Sequence, residues 1–524
     1  MKPIEFEIEP LDQEEDVLLS QTETSDGGVE LEFGPEEEDE LEQAPVEFED
    51  FNVNIASLLE EEELNKISLL VSDRFETDLQ SNHDFFENIG KGLDSLGLTI
   101  EEVTEPFPGA TPVSHPLILE AGLKTQAKIM GEIFNGKGLV DTYVISDKDD
   151  TVLDRANRVK NYMDYQYLYQ MGEFISDTEN MTLRYSLTGN AYRKYYFDPI
   201  RNRPATRYIH EDKFIINSES RTLERADFYT ELYTLDRHEL EHMIELGEFL
   251  DVLTDESSFG VSMQGNAEPT EVDREIIVNT SDPMGFVNGT TSRDKFQLRE
   301  HHCYLKLPDP FNEGLKRALP YIVTTEDGTG KILSIRRNWK QQDSLKLKRV
   351  WYSHYKLIPG LGFHGLGYLH ILGNFQFALT QILRSIIDSG QFSNLQGGFR
   401  AKGVRFTKDA SIPLKFGEFR EIDTGSRPIK DVLMPLQFNE PSQVLERIVG
   451  WLDGRAQKFA DSTEQVIADS TNYGPVGTTV ALLEASTKFT NGILKRFYNS
   501  LKEEFKILYG LNYDVLDDTE DFFI

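Results

Sequence analysis

The sequence predicts an α+β fold, with helix and strand segregated along the chain. Apolar residues recur with a period near 3.6 up to about residue 180. The period shifts to two between about 192 and 358, and the helical period returns after residue 367. At 39% hydrophobic and 11% aromatic, the 524 residues can build a sizeable core. A chain of this length has room for about three domains.

Charge divides the chain unevenly. The net charge is −38. Residues 1–50 hold 20 Asp and Glu against one basic residue, Lys2, so half of that charge lies in a tenth of the chain. Glu36-Glu37-Glu38-Asp39-Glu40 sits between Pro35 and Pro45 with no sustained apolar period. Self-repulsion and poor burial predict a disordered acidic tail over 1–53, acting as a solubilising arm or a docking peptide. One cysteine, Cys303, excludes a disulfide framework and any all-cysteine metal cluster. No run of about 18 apolar residues is present, so no membrane span is expected. The acidic start lacks the basic n-region of a signal peptide. So negative a protein is also a poor candidate for a DNA-binding module, because phosphate contacts need cationic surface.

The elements follow in order. Ile55, Leu58, Leu59, Leu64, Ile67, Leu70 and Phe75 predict a helix from about Asn54, and residues 84–104 a second, stopped by Pro106-Phe107-Pro108-Gly109. Pro116 to Phe134 reads as a third, ended by Asn135-Gly136-Lys137-Gly138. Another run goes from about Asp154 through Tyr162, Tyr165 and Tyr169 to about Asn180. Tyr192–Phe197 begins the strands, with a turn at Asp198-Pro199 and further strands over 205–233. A helix over Asp236–Leu253 follows, with Asp236 as its N-cap. Residues 254–295 read as a polar surface excursion. Strands resume at Glu300–Leu307, Tyr321–Thr325, Ile332–Arg337 and Val350–Ile358, with Gly328-Thr329-Gly330 turning one back on the next. A helix over about 367–390, short Gly-punctuated strands over 395–438 and two long helices, Pro441–Ser470 and Gly477–Leu511, complete the chain.

Three constellations have the residues of an enzyme. His238-Glu239-Leu240-Glu241-His242 matches H-E-x-x-H, whose histidines share a helix face and could ligate zinc while Glu239 activates water. A third ligand at a usable spacing is not evident and the helix is highly charged, so a solvated amphipathic helix is expected. Gly360-Leu361-Gly362-Phe363-His364-Gly365 matches G-x-G-x-x-G between a strand and a helix. No second parallel strand with an acidic end follows, so a glycine elbow feeding a sheet into a long helix is expected instead. His301, His302 and Cys303 have the residues of a ligand or nucleophile site. Strand alternation places His301, Cys303 and Leu305 on one face, the reading of a core strand.

Several blocks resemble the portal proteins of tailed bacteriophages, nearest to those of short-tailed phages. They are Tyr321-Ile322-Val323-Thr324, Ile332–Asn338, Ile358-Pro359-Gly360 with Phe363–Gly367, Leu383–Gly390, Asn394–Gly398 and Pro475–Glu484. Weaker similarity reaches back to residues 55–180. The resemblance implies a portal fold that assembles as a ring: a mixed α/β wing (54–367), a two-helix stem (368–394 and 439–470) and a small β-containing clip (395–438). A tunnel loop (471–476) and a long C-terminal helix with a short crown (477–524) would follow. The sequence stops at Ile524, so the larger crown or barrel of many such proteins is expected to be small or to lie outside it.

What the resemblance implies about function is non-enzymatic and needs no cofactor. Portal subunits form a dodecameric channel at one capsid vertex of the virion, assembled in the host cytoplasm. Through it double-stranded DNA is packaged and ejected without sequence specificity. Implied partners are other copies of the chain, the terminase large subunit, the major capsid protein and tail adaptor proteins. By position, Asp388, Glu464 and Asp469 are candidate channel-lining carboxylates, and Thr471, Asn472 and Tyr473 candidate tunnel-loop residues. Like charge in a channel lets DNA slide rather than bind. The clip is locally positive, with eight basic against four acidic residues between Leu395 and Lys430. Arg400, Lys402, Arg405, Lys408 and Lys415 are its candidate partner contacts. The alternatives are a metal- or nucleotide-dependent enzyme built on residues 238–242 or 360–365, and an unrelated ring-forming scaffold.

Overall fold

The computed structural model describes residues 18–23, 29–33, 51–98, 110–136, 138–144, 150–251, 295–309, 311–312, 314–394, 398–400, 405–406, 422–423, 433–435, 442–460 and 476–516. Over these the fold is α+β. Two strands, β1 (Leu18–Glu23) and β2 (Val29–Phe33), pair as a hairpin within the acidic segment. The remainder of that segment lies outside the described residues.

The helix expected from Asn54 begins later. The Asn54 side chain accepts the amide of Ala56, capping a single 3-10 turn over Ile55–Leu58, and it also accepts the amide of Ile335. Its amide group donates to Leu333 O (3.0 Å). α1 (Glu61–Ser81) then starts on three glutamates, which suit the positive end of a helix dipole. α2 (His83–Asp94) and α3 (Leu117–Ile133) follow. The single helix expected to Asn180 is in fact two. α4 (Asp150–Tyr165) passes into a π turn at Gln166–Gln170, and α5 (Phe174–Thr188) resumes after Met171-Gly172. α5 closes on Gly189, whose φ of 85° is the left-handed C-cap conformation.

β3 (Asn190–Asp198) pairs with β4 (Arg203–Ile209) on one side and with β10 (Tyr352–Lys356) on the other. β5 (Phe214–Ile216), β6 (Phe228–Asp236), β7 (Lys295–Leu305), β8 (Leu319–Glu326) and β9 (Ile332–Arg337) form a five-stranded antiparallel sheet in sequence order. α6 (Arg237–Glu245) ends eight residues short of expectation, because Gly247 turns the chain (φ 73°) and the Leu250 amide donates back to β9 at Leu333 O. The strand expected over Val350–Ile358 stops at Lys356. Ile358–Pro359 (β11) pairs instead with Gly365–Leu366 (β12).

α1 covers one face of the larger sheet, where Val71 and Phe75 join Phe228, Cys303, Tyr321, Val323 and Ile335 in one apolar core. A second core gathers α2, α3, α5 and α7 (Tyr368–Asn394) with Ile493 and Phe497 of the C-terminal helix. Between the two sheets the core is charged but balanced. Lys194 of β3 bonds Glu300 at 2.6 Å and Glu231 at 3.0 Å; Arg207 of β4 also pairs with Glu231. The Tyr352 hydroxyl lies within hydrogen-bond distance of both carboxylates. Burial disfavours the Lys194 ammonium, yet Glu231 and Glu300 outweigh it and hold its pKa above the usual lysine value. A buried charge set of this kind is tolerable only when each member is paired.

Two more helices complete the fold: α8 (Gln443–Ala460) and the forty-residue α9 (Val476–Val515). α9 is pinned to the smaller sheet by one buried carboxylate. Glu504 accepts from the Tyr195 hydroxyl (2.8 Å), the Ser353 hydroxyl (3.0 Å) and Arg193 (3.4 Å).

Candidate functional site

The excursion from α7 to α8 carries the expected clip contacts, and it begins with α7. Beyond it, β13 (Gly398–Arg400) pairs antiparallel with β16 (Leu433–Pro435), and β14 (Arg405–Phe406) pairs with β15 (Ile422–Asp423) inside that closure. α8 then returns along α7, with Asp453 3.9 Å from His115, whose own amide donates to Thr380 Oγ1. The result is a helical hairpin with a small β tip.

α7 holds its place through a stripe of four polar side chains. Gln376, Thr380, Arg384 and Asp388 recur every four residues and therefore share one face. They grip the segment before α3, which runs antiparallel to α7. The Asp388 carboxylate accepts the Thr111 amide (3.0 Å), and Arg384 donates to the carbonyls of Val113 (2.9 Å) and Pro112 (3.2 Å). Thr380 accepts the His115 amide (3.1 Å), and the buried Gln376 side chain accepts the Ile118 amide (2.9 Å) while donating to Ser95 O. Gln376 thus satisfies one of the four amides that the start of α3 leaves without a helical partner.

α8 carries two apolar stripes. Leu445, Val449 and Leu452 are half-buried, and the last two pack on the α2–α3–α5–α7 core. Val444, Ile448 and Trp451 form a second stripe at 60%, 37% and 60% exposure, and Phe377 on α7 is 62% exposed. No element covers these side chains among the described residues. The two stripes are adjacent, about 100° apart around the helix, so together they make one wide apolar arc of which only one edge packs on the core.

The other expected site residues fall as follows. Asp388 is half-buried, with one carboxylate oxygen already accepting the Thr111 amide. Arg400 lies on β13 opposite Leu433, and Arg405 on β14 opposite Asp423. Lys402, Lys408, Lys415, Glu464, Asp469, Thr471, Asn472 and Tyr473 lie outside the described residues. The α7 ladder went unread in the sequence. Its one signal was polar side chains spaced by four along the helix.

Each enzyme-like motif has a structural occupation. Glu239 belongs to a capping box, its carboxylate accepting the Asp236 amide at the start of α6, and His238 is exposed. In the glycine motif, an added Cβ at Gly360 would meet His364 O at 2.2 Å, and one at Gly365 would meet Gly189 O at 2.6 Å. A Cβ at the following Gly367 would meet Leu187 O at 2.2 Å. Gly360 lets the elbow close on itself, and Gly365 and Gly367 let the chain cross the end of α5 at backbone contact distance. The Asn190 side chain fastens the crossing, accepting the Gly365 amide (2.7 Å) and donating to Gly365 O (3.0 Å). Cys303 is buried and its thiol is pushed up to about 12, the opposite of an activated nucleophile. His301 stacks on Phe228, and burial, then Arg299, lowers it to about 3.

No protein-family model and no curated protein matches the sequence. No helix among the described residues is long and apolar enough to cross a membrane.

Proposed function

We infer that the chain is a structural, ring-forming portal subunit of a tailed bacteriophage, and that its copies enclose a channel for double-stranded DNA at one capsid vertex. The observation that carries this reading is the α7–α8 hairpin. It is a pair of helices ending in a small β tip, locked to the body along one polar ladder and apolar along its outer face. Side-by-side copies of such a hairpin bury that face, and repetition of one heterologous contact closes a ring. In this reading the hairpin is the stem, residues 395–438 the clip, and the sheets with α1–α6 the wing. The paired sequence blocks at 321–398 and 475–484 support the same assignment.

The function then follows from charge and shape. A conduit must not retain its cargo, and a chain of net charge −38 disfavours phosphate binding overall, although half of that charge lies in residues 1–50. The locally basic clip suits an acidic surface of the terminase large subunit or a tail adaptor protein. Negative-stain imaging of the purified chain tests the reading: rings with a central hole, about twelve-fold, are expected. A compact monomer at all concentrations would refute it.

A further inference from the structure

The turn that follows β9 presents apolar side chains to solvent on a rigid support. Asp343 accepts the amides of Leu345 (2.9 Å) and Leu347 (2.8 Å), and Arg317 donates to the Leu345 carbonyl. Lys346 between them has a φ of 51°, a conformation that side chains other than glycine rarely adopt. Leu345 and Leu347 are consequently held out at 61% and 64% exposure. Two lysines belong to the same turn region. Lys346 lies 5.8 Å from the Trp339 ring centre, and Lys340 lies 5.6 Å from that of Tyr513, an exposed residue at the end of α9. A fixed patch of leucine and lysine on so acidic a protein has the character of a binding surface for something acidic and apolar.

The acidic N-terminal segment meets the body at the edge of this patch. Phe51 packs edge-on against Trp339 (5.9 Å), and its carbonyl accepts from Arg337 at 2.9 Å. The β1–β2 hairpin has no sheet neighbour beyond its own two strands. An isolated two-stranded hairpin is marginal in water and needs a surface to pack on. Along β2, Val29, Leu31 and Phe33 alternate with Glu30 and Glu32. Residues 34–50, which join it to Phe51, reach up to roughly 60 Å when extended, ample for folding back.

We propose that the β1–β2 hairpin docks on the Leu345–Leu347 turn of its own chain. Val29, Leu31 and Phe33 supply apolar contact, and the hairpin carboxylates come within reach of Lys340 and Lys346. This stands whether or not the chain forms rings. Zero-length carbodiimide cross-linking of the full chain, with peptide mapping, tests it. Cross-links from Lys340 or Lys346 to Glu23, Glu30 or Glu32 are expected within single chains, at a yield independent of dilution. The double variant Leu345→Asp/Leu347→Asp keeps both lysines and alters only exposed side chains. It should melt like the parent while the yield falls about tenfold, the factor that corresponds to ~1.4 kcal/mol. Absence of these cross-links, their persistence in the double variant, or their occurrence only between chains would overturn the proposal. If the double variant melts lower than the parent, Lys340→Glu/Lys346→Glu replaces it. Limited proteolysis of the hairpin is then the readout, with faster cleavage expected and unchanged cleavage counting against docking.

Discussion

The two-sheet body and the α7–α8 hairpin use the same residue types to different ends. In the body, the charges buried between the sheets find partners within the chain. Lys194, Arg207, Glu231 and Glu300 neutralise one another between the sheets, and Glu504 receives three donors from the strands below it. In the hairpin, one face is satisfied by the polar ladder and the other presents Phe377, Val444, Ile448 and Trp451 to solvent. Both regions are well packed where they touch the core. What separates them is that the body's buried charges are paired within the chain, whereas the hairpin's outer stripe has no covering element among the described residues. Substitutions should therefore divide into those that unfold the protomer and those that leave it folded and alone.

The largest expected effect lies in the body. Glu504→Ala leaves Arg193, Tyr195 and Ser353 buried without their acceptor, and removing one member of a buried pair costs about 3–5 kcal/mol. A drop in the thermal midpoint of the isolated chain, with assembly lost as a consequence, is the outcome to check by calorimetry.

Acid should act next, and again through the body. His354 and His364 lie beside the glycine elbow. His354 Nε2 donates to Asn190 Oδ1 (3.1 Å), and His364 Nε2 donates to Asn82 Oδ1 (2.7 Å). Burial, then the neighbouring Lys356, holds His354 well below the usual histidine range. The same causes, with His370 last, lower His364 to about 3. Both groups stay neutral in the folded chain while the unfolded chain takes up protons below about pH 6.5. Their stabilising effect is therefore intact above that pH and declines as pH falls from about 6.5 toward 3, by at most ~1.4 kcal/mol per pH unit for each group. Urea midpoints measured across this range should show the decline, and His364→Gln should flatten it.

A smaller effect belongs to the seam between the regions. Asp388→Ala removes the acceptor of the Thr111 amide, a charge-assisted bond worth about 1.5–3 kcal/mol. The loss should appear as faster hydrogen exchange over residues 110–118, with the sheets unaffected. Substitutions on the outer stripe should change protomer stability least, within about 0.5 kcal/mol as for other exposed positions.

The body was the more legible region in the sequence. Period-two runs located β3, β8 and β9 closely, and the alternation around Cys303 placed it in the core, because each strand carries its burial pattern locally. Breaks that depend on distant contacts did not show. Asn54 delays α1 because it also bonds β9, and α6 stops early because Leu250 returns to the same strand. The glycines at 360–367 were readable as an elbow, but the tight partner of Gly365 and Gly367 is the end of α5, far away in sequence. Asp388 was read as a channel carboxylate from its position on α7. Its bond to Thr111 could not be inferred, since nothing in either segment alone indicates that the two run side by side.

On the portal reading, the outer face of α8 is an interface between copies of the chain. Native mass measurement of the parent and of the triple variant Val444→Ser/Ile448→Ser/Trp451→Ser probes that face alone. A large closed oligomer is expected for the parent and monomers for the variant, with the two thermal midpoints alike. A monomeric parent, or a variant that still closes into the same oligomer, would contradict it.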